Sequence, residues 1–122
     1  MVFSVWRFNN YGYLGLYGLS VKEIKEKKKI GRDDILDRAG ATELAANLFR
    51  ITQTDDKIAK NKIIGEQPAN ETHFTVGRKV RRAIADIGGT MPEELAPEEH
   101  VKQLKAKERK LLKKKSVVQK RR

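Results

Sequence analysis

Several residue groups in this chain have types and spacings that could carry chemistry. Gly12, Gly15 and Gly18 recur every third position in "NNYGYLGLYGLS", with tyrosine and leucine between them. Glycine has no Cβ, so such a stretch could cradle a phosphate, let another backbone approach closely, or turn tightly. The G-x-x-G-x-x-G spacing is neither the G-x-G-x-x-G of dinucleotide folds nor a P-loop, since no Gly-Lys-Ser/Thr follows. A nucleotide-dependent activity at this loop is therefore the weakest of three functional readings. The preferred reading is a tight turn that pins Tyr11, Tyr13 and Tyr17 on neighbouring helices, with an aromatic partner-contact loop as its alternative.

The second group is cationic. In "GRKVRR", Arg78, Lys79, Arg81 and Arg82 stand opposite Val80, Ala83, Ile84 and Ile87 on a helical wheel. Such a face contacts phosphates or acidic side chains, unless it is a solvated face partly neutralised by Glu71 and Asp86. "KEIKEKKKIGR", with Lys27, Lys28, Lys29 and Arg32, is a smaller cluster of the same kind.

Charge is unevenly spread. The net charge is +11, yet residues 102–122 hold 11 Lys/Arg and one Glu, while the preceding 101 residues hold 16 Lys/Arg against 15 Asp/Glu. The basic character thus belongs to a C-terminal tail, where Lys113, Lys114, Lys115, Lys120, Arg121 and Arg122 suit sequence-independent attraction to a nucleic-acid backbone. Val101, Leu104, Leu111, Leu112 and Val118 give this tail an apolar stripe that Glu108 interrupts, a pattern that becomes amphipathic on binding.

Catalytic and metal chemistry find little support. The sequence has no cysteine, which excludes disulfides, thiolate metal sites and a cysteine nucleophile. His73 and His100 lie at no metal-ligand spacing, so His73 is expected on a helix face or at a cap. The pairs Asp33/Asp34, Asp55/Asp56, Glu93/Glu94 and Glu98/Glu99 are explained by helix N-termini and exposed faces. The expectation is a non-enzymatic protein with no cofactor and no metal.

The elements that must position these groups read as helices. Ser20 and Glu23 have capping-box spacing and open a helix over 21–29 that ends at Gly31. Asp33 and Asp34 at one end and Gly40 at the other frame a second, two-turn helix. Residues 42–61 form the clearest helix, with Leu44, Leu48, Ile51 and Ile58 on one stripe widened by Ala45 and Phe49. Residues 62–70 read as a loop around Gly65 and Pro68, and a helical period resumes through His73, Val76, Val80, Ala83, Ile84 and Ile87 until Gly88 or Gly89. "TMPEELAPEE" is a boundary, and Pro97 opens a last helix running to about residue 115. At the N-terminus, residues 1–8 alternate only in part and could be a short strand or the end of a helix, which periodicity cannot decide over so few positions.

The fold class is thus all-α, four helices with a basic fifth element. Residues 1–96 form a compact domain and 97–122 a helical or disordered tail. Core candidates are Leu44, Leu48, Ile51, Phe74, Val80, Ile84 and Ile87. The pair spanning 33–50 also has the cadence of a helix-turn-helix, which makes a sequence-specific DNA-binding regulator the alternative function. Thr42, Glu43 and Asn47 would have to read bases there, and they are poor material for that code. The sequence offers no membrane-span-length apolar run and no signal-peptide pattern, so a cytoplasmic protein is expected.

Three stretches together, "NNYGYLGLYG" (9–18), "ILDRAGATELAANLFRITQTDDK" (35–57) and "ANETHFTVGRKVRRAIADIGGTMPEELAP" (69–97), resemble the C-terminal region of the bacterial DNA-damage-inducible protein D family, in the same order and at similar separations. The resemblance covers residues 3–97, and "TELAANLFR", "VGRKVR" and "GGTMPEEL" are its most specific parts. Two departures stand out: Tyr11 replaces the histidine of a family Asn-His-Gly-Tyr, and Leu19 replaces a second glycine. Family members typically also carry an upstream domain like that of phage and viral BRO proteins, with no counterpart in these 122 residues. The resemblance implies a cytoplasmic protein of the DNA-damage response that modulates the RecA recombinase on single-stranded DNA. It brings no catalytic residues. The expected partners are a RecA-type filament and nucleic acid, with homodimerisation an open possibility raised by the aromatic loop.

Overall fold

The computed structural model describes residues 4–99 and 108–112. Four α-helices carry the fold, α1 (Val5–Tyr17), α2 (Val21–Lys28), α3 (Ala41–Lys60) and α4 (Glu66–Ile87), with single 3₁₀ turns at Leu36–Arg38 and Pro92–Glu94. Residues 108–112 are also helical, and no strand occurs among the described residues. The all-α class holds, and of the two readings of the N-terminus the helical one does, residues 5–8 belonging to α1.

The glycine stretch is a helix rather than a turn. Ser4 caps α1 by accepting from the Arg7 N–H at 3.2 Å, and Gly18 ends it in the left-handed region at φ 70°. Each glycine inside a helix costs about 1 kcal/mol relative to alanine, so close packing must offset the pair. It does so against α4. A Cβ on Gly77 would stand 2.8 Å from the Leu16 nitrogen and 2.9 Å from the Gly12 carbonyl oxygen, and one on Gly15 would strike the Phe74 carbonyl. Backbone lies against backbone at this crossing, the most extensive helix contact in the fold.

Other boundaries follow local chemistry. Ser20 and Glu23 form the capping box in both directions, at 3.2 and 3.0 Å. The helix expected after Asp33 is reduced to the Leu36–Arg38 turn: Asp34 accepts from the Leu36 N–H, Arg38 turns back to Asp33, and two turns offer too few hydrogen bonds to offset nucleation. Gly40 accordingly ends no helix; it is the N-cap of α3. Helix α4 begins at Glu66, inside the expected loop, because Pro68 sits in the first turn, where its missing N–H has no partner to lose. At its far end, the Gly88 and Gly89 N–H groups donate to the carbonyls of Ala85 and Ile84, closing the helix as expected.

The apolar core gathers Leu16, Tyr17, Ile24, Ile30, Ile35, Val76 and Val80, with Ala46 and Ile84 packed on it. Of the expected core, Val80 and Ile84 take part. Leu44, Ile51 and Phe74 are half-buried, whereas Leu48 and Ile87 are 51% and 82% exposed. The long helix α3 is turned the other way from the expectation: the residues it buries are Glu43, Asn47, Arg50 and Thr54. This polar stripe finds charged and aromatic partners on α1, α2 and α4, which the apolar stripe could not match.

The segment expected as a boundary is a strap. Pro92 is buried, the carbonyls of Pro92 and Leu95 accept from Lys28, and the Glu98 N–H donates to the Arg38 carbonyl at 2.7 Å. Residues 97–99 are therefore not the start of a helix.

Candidate nucleic-acid and partner interface

Helix α4 divides its residues between two tasks. Ala69, Asn70, Thr72, His73, Val76, Gly77 and Val80 point inward. Arg78, Lys79 and Arg82 point outward, are exposed, and have no ion pair among the described residues. Together with Thr75, Arg81 and Met91 they line a shallow open groove along the helix. Arg78 leans over the Phe74 ring, its guanidinium 5.4 Å from the ring centre. Asp86 shares the groove, but Glu71, an expected neutraliser, is instead hydrogen-bonded by Gln67.

Arg81 lines the same groove but is half-buried and already engaged. Its guanidinium donates to the Leu16 carbonyl at 3.1 Å and to Glu93 at 2.7 Å, tying the end of α1 and the 92–94 turn to α4. Burial pushes the Glu93 carboxyl up, yet the Arg81 hydrogen bond, with support from its own backbone, holds it below the usual carboxylate value. The structure thus keeps three of the four expected cations as surface groups. The tail residues Lys113, Lys114, Lys115, Lys120, Arg121 and Arg122 lie outside the described residues, as does His100.

The tyrosines separate in the same way. Tyr11 is exposed, Tyr13 lies under the Arg50 guanidinium at 4.8 Å from its ring centre, and Tyr17 is buried. Burial pushes the Tyr13 hydroxyl up to about 12 and Tyr17 higher still, Tyr17 helped by its hydrogen bond to Glu43. As an interface loop the stretch offers Tyr11 alone. As a phosphate cradle it offers nothing, because the Gly12 and Gly15 backbone is held inside a helix against α4.

Behind this surface runs a buried polar chain that sequence patterns did not reveal. The Lys28 ammonium donates to Glu43 at 2.6 Å and to the Pro92 and Leu95 carbonyls, which uses all three of its N–H groups. Tyr17 donates to the same Glu43 carboxylate. Asn47 donates to the Tyr17 oxygen at 2.9 Å and accepts from Arg50 at 2.8 Å, and Arg50 reaches Nε2 of His73 at 2.5 Å. Finally, His73 Nδ1 meets the Phe8 carbonyl at 2.9 Å. Lys28, grouped by sequence with the surface cations, is thus an interior residue. Glu43 and Asn47, which would face DNA in a helix-turn-helix, are interior as well, and the first helix of that pair is the single 3₁₀ turn. The one signal in sequence was the 43, 47, 50, 54 spacing, as regular a stripe as the apolar one.

Among the described residues no group of His, Asp and Glu could hold a metal ion, and no helix is long and apolar enough to cross a membrane.

With this geometry in place, comparison with known proteins assigns the chain to a family. The DinD C-terminal domain profile matches residues 3–104. The chain belongs to the DinD family. A relative described as DNA damage-inducible protein D, from Escherichia coli strain K12, is 54% identical over 100 residues, covering 80% of this chain and 36% of the relative. The chain therefore spans about a third of the length of that curated relative. No solved structure matches. Within the DinD family region lie both the outward cations of α4 and the whole buried polar chain.

Proposed function

We propose that this DinD-family domain is a non-enzymatic contact module of the bacterial DNA-damage response, acting in the cytoplasm on a RecA-type filament or its single-stranded DNA. Arg78, Lys79 and Arg82 meet phosphates or acidic side chains, and the basic tail at residues 102–122 raises the encounter rate through its charge. The observation that carries this reading is the exposure of three cations on one rigid helix, without ion-pair partners among the described residues, in a body otherwise near neutral. Arg81 acts one step behind them by fixing α4 against α1 and Glu93.

The test is anisotropy titration of oligothymidine and of a RecA filament across a salt series. Reversing Arg78, Lys79 and Arg82 and deleting residues 102–122 should weaken both. Removing one cation–phosphate interaction should flatten the log–log salt slope on single strands by about 0.7. Unchanged binding to both targets would remove the reading.

A further inference from the structure

A second groove, between the outer edges of α3 and α4, has a different chemistry from the Arg78 face. From α3 it takes Phe49, Lys57 and Lys60, a row that runs roughly 16 Å along the helix at 1.5 Å per residue. From α4 it takes Val76, Val80 and Ala83, which share one side of the helix at spacings of four and three residues. Lys79 stands on the divide between the two grooves. The floor and one wall are therefore apolar, and the rim carries three ammonium groups against one carboxylate, that of Asp56. None of the three lysines has an ion pair among the described residues.

Phe49 is 54% exposed beside this floor. A ring left in water forgoes the free energy of burial, and a partner's apolar side chain seated on Phe49 and Val80 recovers it. Recognition by groove uses this division of labour: an apolar anchor supplies affinity, while surrounding charge supplies rate and selectivity. Gln53 and Asp56 in the same lining add acceptors for the backbone N–H groups of a peptide, donors that a phosphodiester backbone lacks. A single ring among aliphatic side chains is also a poor stacking platform for successive bases.

We propose that the α3/α4 groove binds an acidic protein segment with an apolar anchor residue. The anchor sits against Phe49, Val76 and Val80, and the segment's carboxylates meet Lys57, Lys60 and Lys79. This site shares Lys79 with the face proposed above but uses neither Arg78 nor Arg82, and it takes a protein ligand.

The test titrates the full chain against a fluorescent acidic peptide carrying central leucine and phenylalanine among aspartates. A second peptide has those two residues replaced by serine, and oligothymidine is the third probe. The acidic apolar peptide should bind, the serine peptide should bind at least about tenfold more weakly, and Phe49→Ala and the double variant Lys57→Glu, Lys60→Glu should each cost about tenfold or more. Lys22→Glu, an exposed α2 cation outside both grooves, should change peptide affinity less than about threefold. Circular dichroism melts accompany each variant, and the lysine variant carries the test if Phe49→Ala unfolds. Equal binding of both peptides, or indifference to the groove variants, overturns the proposal. So does loss of oligothymidine affinity in Phe49→Ala without peptide binding, which would make the groove a single-strand site. Concentration-dependent dimers dissolved by Phe49→Ala would instead assign it to a second copy and overturn it as well.

Discussion

The Arg50 guanidinium stands 2.5 Å from Nε2 of His73, in the buried seam between α3 and α4. A guanidinium can only donate and the Phe8 carbonyl on the other side of the ring can only accept. The ring must therefore be neutral, with its proton on Nδ1 and its Nε2 lone pair turned to Arg50. Burial first and the Arg50 charge second lower the His73 pKa to about 4.

This neutral histidine makes stability depend on pH. Between about 6.5 and about 4 the unfolded chain takes up a proton that the folded ring refuses, so the histidine's contribution to stability falls as pH falls through that window and levels off below it. At about 1.4 kcal/mol per pKa unit, the histidine's share is on the order of 3 kcal/mol. Urea midpoints across this range should fall less steeply for His73→Gln than for the parent, and parallel curves would show that the ring is not held neutral.

The Lys28–Glu43 pair, buried at 2.6 Å, predicts an asymmetry. Glu43→Ala should cost about 3–5 kcal/mol, since it strands an interior ammonium and frees the Tyr17 hydroxyl. Lys28→Met with Glu43→Leu should recover part of that loss, because removing both charges removes the desolvation cost as well. Denaturant unfolding of the two variants checks the order.

At the α1–α4 crossing, Gly77→Ala and Gly15→Val should each cost several kcal/mol, because the added atoms meet backbone that cannot move aside. Gly31, at φ 62° with open space around it, should lose only about 1 kcal/mol on change to alanine. Thermal melts of these variants separate crowding from backbone strain. A Gly15→Val protein that melts like the parent yet fails to bind partners would mean that α1, rather than α4, makes the contact.

Arg81 and Arg82 are neighbours with opposite expected phenotypes. Arg81→Gln should lower stability by about 1–3 kcal/mol by removing the Glu93 and Leu16 hydrogen bonds, and should leave the salt slope of binding nearly unchanged. Arg82→Gln should leave the melt in place and flatten the slope by about 0.7 on single strands. Paired melts and salt titrations read both.

Most helices were legible from local chemistry. The Ser20 and Glu23 box, Gly88 past the end of α4, and the unbroken run from Ala41 to Lys60 each state their structure within a few residues. Helix α1 was not legible, since two interior glycines argue against a helix unless a partner backbone is known to lie on them. The candidate interface was half legible: the cluster at 78–82 is plain, but Arg81's engagement with Glu93 depends on a turn that folds back from twelve residues away.

The sequence by itself determined the family, the all-helical class, and the placing of positive charge on α4 and in the C-terminal tail. These follow from motifs, period and composition, all of which are local. Only the tertiary structure decided that α3 turns Glu43, Asn47 and Arg50 inward and leaves Leu48 and Phe49 at the surface. Periodicity marks two stripes on that helix. Which one is buried depends on whether other helices bring partners for it, and Tyr17, Lys28 and His73 do.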